Sequence, residues 1–398
     1  MEYYLLKEVA SYSNLRTSQI EKTSYISTEN MLPNKGGITF ATSIPNIYSA
    51  SKYEIGDILL SNIRPYFCKI WLANKEGSCS NDVLVLKANE KVVSKFLYYV
   101  LSDKNFFNYD TVTSKGTKMP RGNKNAIMKY LVPKRNVQCQ HRIASILSSY
   151  DSLIENNTKR IRLLEKMAEK LYKEWFVRFR FPGYEKAEME NGLPKGWKVE
   201  RLGEWGISLD TGKRPKGGVD ISLKDGYPSL GAECIKELAF FDYSSVSLIP
   251  KDFYESMKRG KNTGDDILLY KDGAYIGKVT MFMDKYPYEH YAINEHVFFV
   301  APKNVEYKNY LYFTLHQNEF FVLMQNLNRN AAQPGLSRGD VERVQMTIPT
   351  SEVVKQFNQV VKPMLKIMFN LAKQNTLLAL RRDLLLPRLM SGKLEVKP

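Results

Sequence analysis

The chain of 398 residues lacks the features that identify membrane-spanning and secreted proteins. No run approaches the roughly 18 apolar residues that a membrane-spanning helix needs, and the N-terminus MEYYLLKEVAS has no basic region followed by an apolar signal core. The four cysteines show no paired spacing typical of metal ligands, and the four histidines do not supply the missing ligands. We therefore expect a cytoplasmic protein with reduced thiols, no membrane contact and no metal site.

Motifs that bind nucleotide cofactors are also missing. Neither GxGxxG nor GxxxxGK[ST] occurs, and the chain contains no Pro-Pro, which the Asn-Pro-Pro-aromatic run of amino-methyltransferases requires. Asp284, Glu306 and Lys308 have a nuclease-like spacing, but such spacing is common in a chain with 42 acidic residues. His290 and His296 are more typical of ordinary polar or packing residues than of metal ligands. The sequence therefore predicts neither catalytic residues nor a cofactor.

Positive charge, by contrast, is in excess. The formal net charge of +16 favours a polyanionic partner, because neutralising phosphates releases counterions from nucleic acid. The chain has 25 Tyr and 19 Phe, and this aromatic content argues against disorder. A chain of this length is expected to form more than one domain. We therefore expect a folded, multidomain protein that binds nucleic acid.

Much of the sequence occurs twice. The segment FLYYVLSDKNFF from Phe96 matches YLYFTLHQNEFF from Tyr310, a shift of 214 residues that holds for every identity within the segment. GDILL recurs as GDDILL, and NDVLVLKAN is echoed by NEHVFFVAPKN, in the same order along both halves. Chance similarity of aromatic-rich segments would not keep this order. The order of landmarks predicts an internal duplication.

Each half combines both kinds of secondary structure. ILLSNI, VLVLKA, ILLYKD and VFFVAP are short β-rich runs between Gly, Asn and Pro, whereas the duplicated aromatic segment has the apolar spacing of a helix. We therefore predict an α+β fold with two duplicated mixed α/β domains, at residues 1–138 and 196–350. Long helices at 139–181 and 351–392 follow the two domains, and a linker rich in Pro and Gly at 182–195 separates the halves.

Both long helices carry apolar residues spaced alternately four and three apart, which is the heptad pattern of a helix-helix seam. We expect Pro363 to kink the second helix or to mark the start of its regular part. The seam residues are Ile143, Leu147, Ile154, Asn157, Ile161, Leu164, Leu171 and Trp175 in the first helix and Met364, Met368, Leu371, Asn375, Leu378, Leu385 and Leu389 in the second.

An antiparallel alignment of the two helices places Asn157 opposite Asn375. A polar pair in an apolar seam costs stability but fixes the register, because a slip would bury two amides without partners. The hypothesis is an intramolecular antiparallel coiled coil that relates the two domains by an approximate two-fold axis. The alternative is two amphipathic helices that pack on their own domains. In the antiparallel register the other pairs include Ile143 with Leu389, Ile161 with Leu371, and Trp175 with Phe357.

Basic and polar residues are concentrated in loops that recur at equivalent places in the two halves. Lys and Arg can hold phosphates, while Arg, Asn and Gln can read base edges. Each residue alone is more typical of a solvated loop charge, but the recurrence favours the set. The candidate DNA-binding residues are Arg64, Tyr66, Lys69, Lys115, Thr117, Lys118, Arg121, Asn123 and Lys124 in the first half and Lys213, Arg214, Lys216, Lys271, Lys278, Arg329, Asn330, Gln333 and Arg338 in the second.

Three segments carry a family resemblance over essentially the whole chain. The run QHRIASILSSYDSLIENNTKRIRLLEKMAEKLYKEWFVRF, the following LPKGWKVERLGE and the closing LLLPRLMSGKLEV resemble the specificity subunit of type I restriction-modification enzymes. GTKMP and NAAQP look like a loop motif of that family's recognition domains, although the second lacks the glycine. The resemblance implies that each domain reads one half of a split, asymmetric DNA target, and that the helices set the spacing between the halves.

The resemblance also implies partners. Two modification subunits would bind along the helices, supply S-adenosylmethionine and methylate adenine in double-stranded DNA, and restriction and translocase subunits would complete the complex. This chain itself would be non-catalytic and would need no cofactor. Two other functions stay open at this point, namely a stand-alone nuclease that uses the duplicated domains to bind DNA, and a coiled-coil adaptor for other proteins.

Overall fold

The chain forms two compact units. The computed structural model describes residues 2–220, 222–327 and 335–396. Unit 1 comprises Met1–Leu153 with Leu377–Pro398, and unit 2 comprises Ile154–Thr376. The division runs through both long helices, so each unit contains part of each helix. Unit 1 is therefore built from two segments that are far apart in the sequence.

Unit 1 contains two four-stranded sheets and one two-stranded sheet. Its strands are β1 (Tyr3–Leu5), β2 (Ala10–Tyr12), β3 (Arg16–Thr17), β4 (Tyr25–Ile26), β5 (Ala50–Tyr53), β6 (Ile58–Ser61), β7 (Ile70–Leu72), β8 (Gly77–Cys79), β9 (Val83–Ala88) and β10 (Leu131–Pro133). Its helices are α1 (Leu6–Val9), α2 (Ser94–Leu101), α3 (Lys104–Thr113), α4 (Lys124–Ile127) and the first part of α5 (Val137–Tyr172). The sheet orders are β2-β9-β6-β7, β3-β5-β8-β4 and β1-β10, and only β4 and β8 are parallel neighbours among these described strands.

Unit 2 repeats this plan. Its strands are β11 (Met189–Glu190), β12 (Leu193–Pro194), β13 (Lys198–Arg201), β14 (Ile207–Thr211), β15 (Tyr227–Leu230), β16 (Ser247–Ile249), β17 (Lys261–Asn262), β18 (Ile267–Tyr270), β19 (Val279–Met281), β20 (Tyr291–Ile293), β21 (Val297–Pro302) and β22 (Gln345–Ile348). Its helices are α6 (Leu202–Trp205), α7 (Lys251–Ser256), α8 (Lys308–Leu315), α9 (Asn318–Leu327), α10 (Arg338–Glu342) and the first part of α11 (Ser351–Met390). In the part of the chain that the structure describes, no helix has the length and apolarity needed to cross a membrane.

The strand orders confirm the predicted duplication of mixed α/β domains. The order β2-β9-β6-β7 recurs as β14-β21-β18-β19, and β1-β10 recurs as β13-β22. The second sheets share a three-stranded core, because β5-β8-β4 corresponds to β17-β20-β15 with the same parallel and antiparallel pairings. The fourth strand differs, since β3 adds beside β5 whereas β16 adds beside β15. The two copies therefore keep a common scaffold and differ at its edges.

In unit 1, both long helices complete one hydrophobic core. Ile143 and Leu147 of α5 are buried in the same core as Leu386 and Leu389 of α11. This core also contains side chains from α2 and from the β2-β9-β6-β7 sheet. Leu385 packs against it as a partly buried residue. The core of unit 1 thus depends on residues near the C-terminus of the chain.

A half-buried ion pair joins the same two helices in unit 1. Arg382 of α11 contacts Asp151 of α5 at 2.5 Å, and only 15% of the Arg382 side chain is exposed. Tyr99 of α2 donates a hydrogen bond to the same carboxylate. Burial raises the pKa of Tyr99, and the negative charge of Asp151 adds to this effect. The largely buried charge of Arg382 is therefore paired with a carboxylate, as charges removed from water require.

In unit 2, the two asparagines of the predicted register are hydrogen-bonded to each other. Asn157 Nδ2 donates to Asn375 Oδ1 at 3.0 Å, and Asn375 Nδ2 donates to Thr158 Oγ1 at 3.3 Å. The Trp175 ring lies 5.8 Å from the ring of Phe357, between centroids. Ile154 is half-buried in unit 2, and the seam residue Leu378, which belongs to unit 1, is also half-buried. Further seam residues in or against the main core of unit 2 are Ile161, Leu164, Leu171, Met364, Met368 and Leu371.

The course of α11 differs from the sequence-based expectation. The helix begins at Ser351 and is continuous through Pro363, which neither kinks it into two segments nor marks its start. The ring of a proline removes one backbone hydrogen bond from a helix. Pro363 and Gln359, whose carbonyl loses that bond, are both exposed, so water can replace the missing donor.

The α-helical part of α5 ends at Tyr172, before the predicted end at residue 181. A π-helical turn over Lys173–Val177 follows, and Phe179 has a positive φ of 58°. The chain then turns so that Phe181 stacks on Trp197 at 5.4 Å. Aromatic packing in unit 2 therefore ends the helix, which helical periodicity alone does not reveal.

Leu389→Ala is expected to destabilise unit 1 by roughly 2–5 kcal/mol, because it opens a cavity in the core that Leu389 shares with Ile143. Leu384→Ala is the matched control, since Leu384 lies on the same helix with 55% of its surface exposed. Amide hydrogen exchange should show lost protection mainly within unit 1 for Leu389→Ala and little change for the control. Equal losses in the two variants would contradict the packing of α11 in this core.

Asn375→Leu is expected to lower the free energy of unfolding by roughly 1–3 kcal/mol, because it leaves the buried Asn157 amide without its partner. The double variant Asn157→Leu/Asn375→Leu should recover most of this loss. Asn156→Leu, at an exposed position of the same helix, is the control. Denaturant unfolding of these three variants and of Asn157→Leu measures the coupling, and additive effects of the two single Leu substitutions would show that the two amides do not interact.

Candidate nucleic-acid interface

Two of the predicted DNA-binding loops of unit 1 are hydrogen-bonded to each other. The backbone N–H of Arg64 donates to the carbonyl of Pro120 at 2.8 Å. Lys115 and Arg121 exchange two backbone hydrogen bonds of 2.9 and 2.8 Å, which closes the second loop as a small hairpin. The structure therefore brings the Arg64 loop and the loop of residues 115–124 together on one surface.

The turn after Arg64 presents aromatic side chains beside these cations. Arg64 and Cys68 both adopt positive φ, of 50° and 52°, at the two ends of a 3-10 turn over Pro65–Phe67. Tyr66 and Phe67 are 48% and 38% exposed, and their rings contact each other at 4.7 Å. The turn thus supplies planar groups that can stack on bases at the edge of a basic surface.

Most of the candidate residues of unit 1 are solvent-accessible. Arg121 keeps 54% of its side chain exposed although it forms an ion pair with Asp82 at 3.3 Å. Lys124 lies over the ring of Tyr12. The exposed cations, which together we term the basic loop surface of unit 1, are Arg64, Lys115, Lys118, Arg121 and Lys124, and Tyr66 and Thr117 are exposed among them.

Two candidate residues have local structural contacts. Asn123 caps α4, because its side-chain oxygen accepts hydrogen bonds from the backbone N–H groups of Asn125 and Ala126. The Lys69 ammonium donates to the carbonyl of Thr28. Burial lowers the pKa of Lys69, and the neighbouring charge of Arg64 lowers it further. Both side chains stabilise the loops that carry the exposed cations.

A buried carboxyl group lies beneath these loops. Asp110 of α3 is fully buried, and neither of its oxygens has a hydrogen-bond partner among the described residues, nor does the side-chain oxygen of Asn62. A Cβ on Gly122 would lie 2.8 Å from Asp110 Oδ1 and 2.9 Å from Asn62 Oδ1, so glycine leaves room for both. Burial raises the pKa of Asp110 to about 7. A protonated Asp110 would supply the donor that Asn62 needs.

The corresponding loops of unit 2 are joined in the same way. The backbone N–H of Leu336 donates to the carbonyl of Lys271 at 3.0 Å, as the N–H of Gly122 donates to the carbonyl of Asn62 at 3.0 Å. The backbone hydrogen bond is the same in both units, but Leu336 replaces Gly122 and Lys271 replaces Asn62. The duplicated scaffold therefore holds loops of different chemistry.

A network of charges lies at the base of the unit 2 loops. Arg214 contacts Glu295 at 2.8 Å, and Lys271 contacts Asp272 at 2.8 Å. His296 Nδ1 lies 3.1 Å from the same Asp272 carboxylate. These contacts join the loops after β14 and β18 to the start of β21. His296, which the sequence analysis did not assign to a site, thus belongs to the loop network.

Unit 2 has a further basic loop, which the sequence pattern did not predict. Gly260 has a φ of +74°, and a Cβ there would lie 2.5 Å from Gly212 Cα. The loop that carries Lys258 and Arg259 therefore lies directly against the loop that starts at Gly212. Arg259 is 3.8 Å from Asp210 and keeps 74% of its side chain exposed. The run MKRGK is rich in Lys and Arg, which could have indicated this loop, but the run has no equivalent in the first half of the sequence.

The remaining candidates of unit 2 fall into three groups. Lys213, Lys216 and Arg338 are exposed. Lys278 is instead ion-paired with Glu237 at 3.5 Å. Arg329, Asn330 and Gln333 lie outside the described residues. We term Lys213, Arg214, Lys216, Lys258 and Arg259 the basic loop surface of unit 2.

The nuclease-like set is not assembled. Lys308 forms an ion pair with Asp265. Asp284, Glu306 and Lys308 are all described, and no hydrogen bond or ion pair joins Asp284 to either of the others. The geometry therefore gives no support to a catalytic centre at these three residues.

Comparison with known proteins agrees with the duplicated architecture. The model of the type I restriction modification DNA specificity domain matches residues 5–166 and again residues 194–384. The type I restriction enzyme MjaIX specificity subunit from Methanocaldococcus jannaschii is 27% identical, over 77% of this chain and 70% of that protein. The HindI specificity subunit from Haemophilus influenzae is 22% identical, over 93% of this chain and 94% of that protein. The crystal structure of a type I restriction-modification S subunit from M. genitalium shares the fold, with a TM-score of 0.54 at 15% identity over 98% of this chain and 95% of that chain.

The buried Asp110 predicts a pH dependence of stability. The pKa of Asp110 is raised in the folded state. The contribution of Asp110 to the free energy of unfolding is therefore fully present below the pKa that the residue has in the unfolded chain, and it is lost as the pH rises towards about 7. Asp110→Asn is expected to remove this loss, so the variant should exceed the wild type in stability by roughly 2–4 kcal/mol at pH 8 and match it near pH 4. Thermal unfolding from pH 4 to pH 8 measures the difference. Parallel curves would show that Asp110 does not titrate in this range.

Proposed function

The chain belongs to the family of the type I restriction modification DNA specificity domain, and we propose that it reads a bipartite, asymmetric DNA target for a type I restriction-modification complex. The main support is that the family domain occurs twice in the chain. The two copies share a strand order, and each copy has its own exposed basic loop surface. Exposed Lys and Arg hold phosphates, and the residues between them reach base edges. Each unit therefore reads one half of the target.

Differences between the loops support unlike half-sites. Unit 1 presents the exposed aromatic ring of Tyr66 beside Arg64, whereas unit 2 presents Arg214 restrained by Glu295 and the additional Arg259. Side chains of different shape and donor pattern select different base sequences. An asymmetric target follows from this difference.

The long helices support a fixed spacing between the half-sites. α5 and α11 have 36 and 40 residues, which corresponds to about 54 and 60 Å of helix. Their register is fixed in unit 2 by the hydrogen bond between Asn157 and Asn375. A helix pair of defined register has a defined length, so the number of unread base pairs is constant.

Exposed apolar side chains on both helices support binding of partner subunits. Surfaces of this kind are typical of protein contacts when they form continuous patches. Two modification subunits bind there, carry S-adenosylmethionine and methylate adenine, and restriction and translocase subunits complete a complex that acts on DNA in the cytoplasm. The chain itself recognises DNA without catalysing a reaction. The exposed apolar residues are Ile146, Leu153, Leu163 and Met167 of α5 and Val360, Ile367, Leu377, Leu380 and Leu384 of α11.

Selection from a random duplex pool by this chain with its modification subunit tests the proposal. Two short motifs at one constant separation are expected. A single continuous motif, or no enrichment, would contradict paired recognition.

The same selection with variants assigns each half-motif to a unit. Arg64→Ala should weaken one half-motif, Arg259→Ala should weaken the other, and a lost base contact should reduce discrimination by roughly 5- to 100-fold. Lys159→Ala is the control, because Lys159 is an exposed cation of α5 paired with Glu155 outside the loops. If either loop variant altered both half-motifs, the assignment of one half to each unit would be wrong.

A further inference from the structure

A group of potential metal ligands lies within unit 2, away from the basic loop surface. Glu165 and Glu169 are four residues apart on α5, so their side chains lie on the same face of the helix. His316 directly follows α8. One ligand atom from each of the three residues lies within 4.8 Å of the others, and His316 Nε2 is 3.2 Å from Glu169 Oε1. All three residues are half-buried, so the group is both enclosed and accessible to an ion.

A fourth polar group lies beside this cluster. Tyr312 of α8 is 0% exposed, and its hydroxyl has no hydrogen-bond partner among the described residues. Its ring stacks on the His316 ring at 5.2 Å with an interplanar angle of 21°. A buried hydroxyl without a partner is costly, and water on a bound ion would provide one.

The charges of the cluster favour a bound cation. Glu165 and Glu169 place two carboxylates four residues apart on one face of α5, where like charges repel each other. His316 Nε2 lies 3.2 Å from Glu169 Oε1. A cation bound between the two carboxylates would offset their mutual repulsion.

The donor set identifies the class of ion. Two carboxylate oxygens and one imidazole nitrogen are ligands of Zn²⁺, which takes three protein ligands and water at bond lengths of about 2.0–2.2 Å. Mg²⁺ and Ca²⁺ prefer sites made only of oxygen ligands. Atoms that share one Zn²⁺ lie about 3–4 Å apart, so small side-chain rotations suffice here. We propose that Glu165, Glu169 and His316 bind a divalent transition-metal ion of the Zn²⁺ type, which ties α5 to the end of α8 within unit 2.

The internal duplication provides a comparison within the same chain. The shift of 214 residues that relates the aromatic segments also relates the two seam series, since Ile143 corresponds to Phe357 and Leu171 to Leu385. By this shift, the counterparts of His316, Glu165 and Glu169 in unit 1 are Ser102, Ala379 and Asp383. Among these three residues only Asp383 has a metal-binding side chain, and it is paired with Lys35 and Arg382. We therefore expect one high-affinity ion for each chain.

Titration of the full-length, chelator-treated chain with Zn²⁺ tests the proposal. One Zn²⁺ per chain should bind and raise the thermal unfolding temperature, because an ion that binds only the folded state stabilises it. Mg²⁺ at the same concentration should give no shift. Co²⁺ should produce visible absorption bands that report direct coordination.

Variants distinguish this site from adventitious binding. His316→Ser, which introduces the residue of the first repeat, and Glu165→Gln should each weaken Zn²⁺ binding more than about tenfold and abolish the thermal shift. Glu155→Gln is the matched control, because Glu155 is an exposed glutamate of the same helix. Circular dichroism without metal verifies that each variant is folded. Zn²⁺ binding that is equal in the wild type and in both ligand variants, or absent from the wild type, would overturn the proposal.

Discussion

The burial of α5 and α11 in the cores of both units is the constraint on which the rest of the structure depends. Ile143 and Leu147 share a core with Leu386 and Leu389 in unit 1, and Ile161 shares a core with Leu371 in unit 2. Neither core is complete without residues from both helices. The first unit therefore packs its core with residues from the C-terminal part of the chain, and both helices contribute to the stability of both units.

The duplicated scaffold separates positioning from recognition. Equivalent backbone hydrogen bonds, from Gly122 to Asn62 and from Leu336 to Lys271, hold the loops of the two units at corresponding places. Because these contacts use only backbone atoms, the side chains at the same positions are free to differ. The scaffold thus permits two half-sites of different sequence to be read by units of the same architecture. The loops can therefore change in sequence without a change in the strands beneath them.

The two halves also differ where no DNA contact is expected. The group of Glu165, Glu169 and His316 lies between α5 and α8 in unit 2, whereas unit 1 has the fully buried Asp110 beneath its loops. Both places carry a carboxylate whose charged form burial disfavours. In unit 1 glycine leaves space around that group, and in unit 2 an imidazole and a second carboxylate surround it. Each copy therefore surrounds a carboxylate that is removed from water with different neighbouring residues.

The sequence by itself determined the duplication, the α+β class, the family and the pairing of Asn157 with Asn375, because periodicity and ordered repeats are properties of the linear chain. It also located the basic loops, since charge and turn residues are visible without a fold. It did not reveal that α11 continues through Pro363, because exposure of the proline to solvent depends on packing. It did not bring His316 together with Glu165 and Glu169, because His316 is about 150 residues from Glu165 and no spacing rule connects them. Tertiary structure alone decided that Arg259 lies beside the Gly212 loop, that Asp110 is buried, and that the C-terminal helix completes the first unit, since each depends on which distant segments share a core.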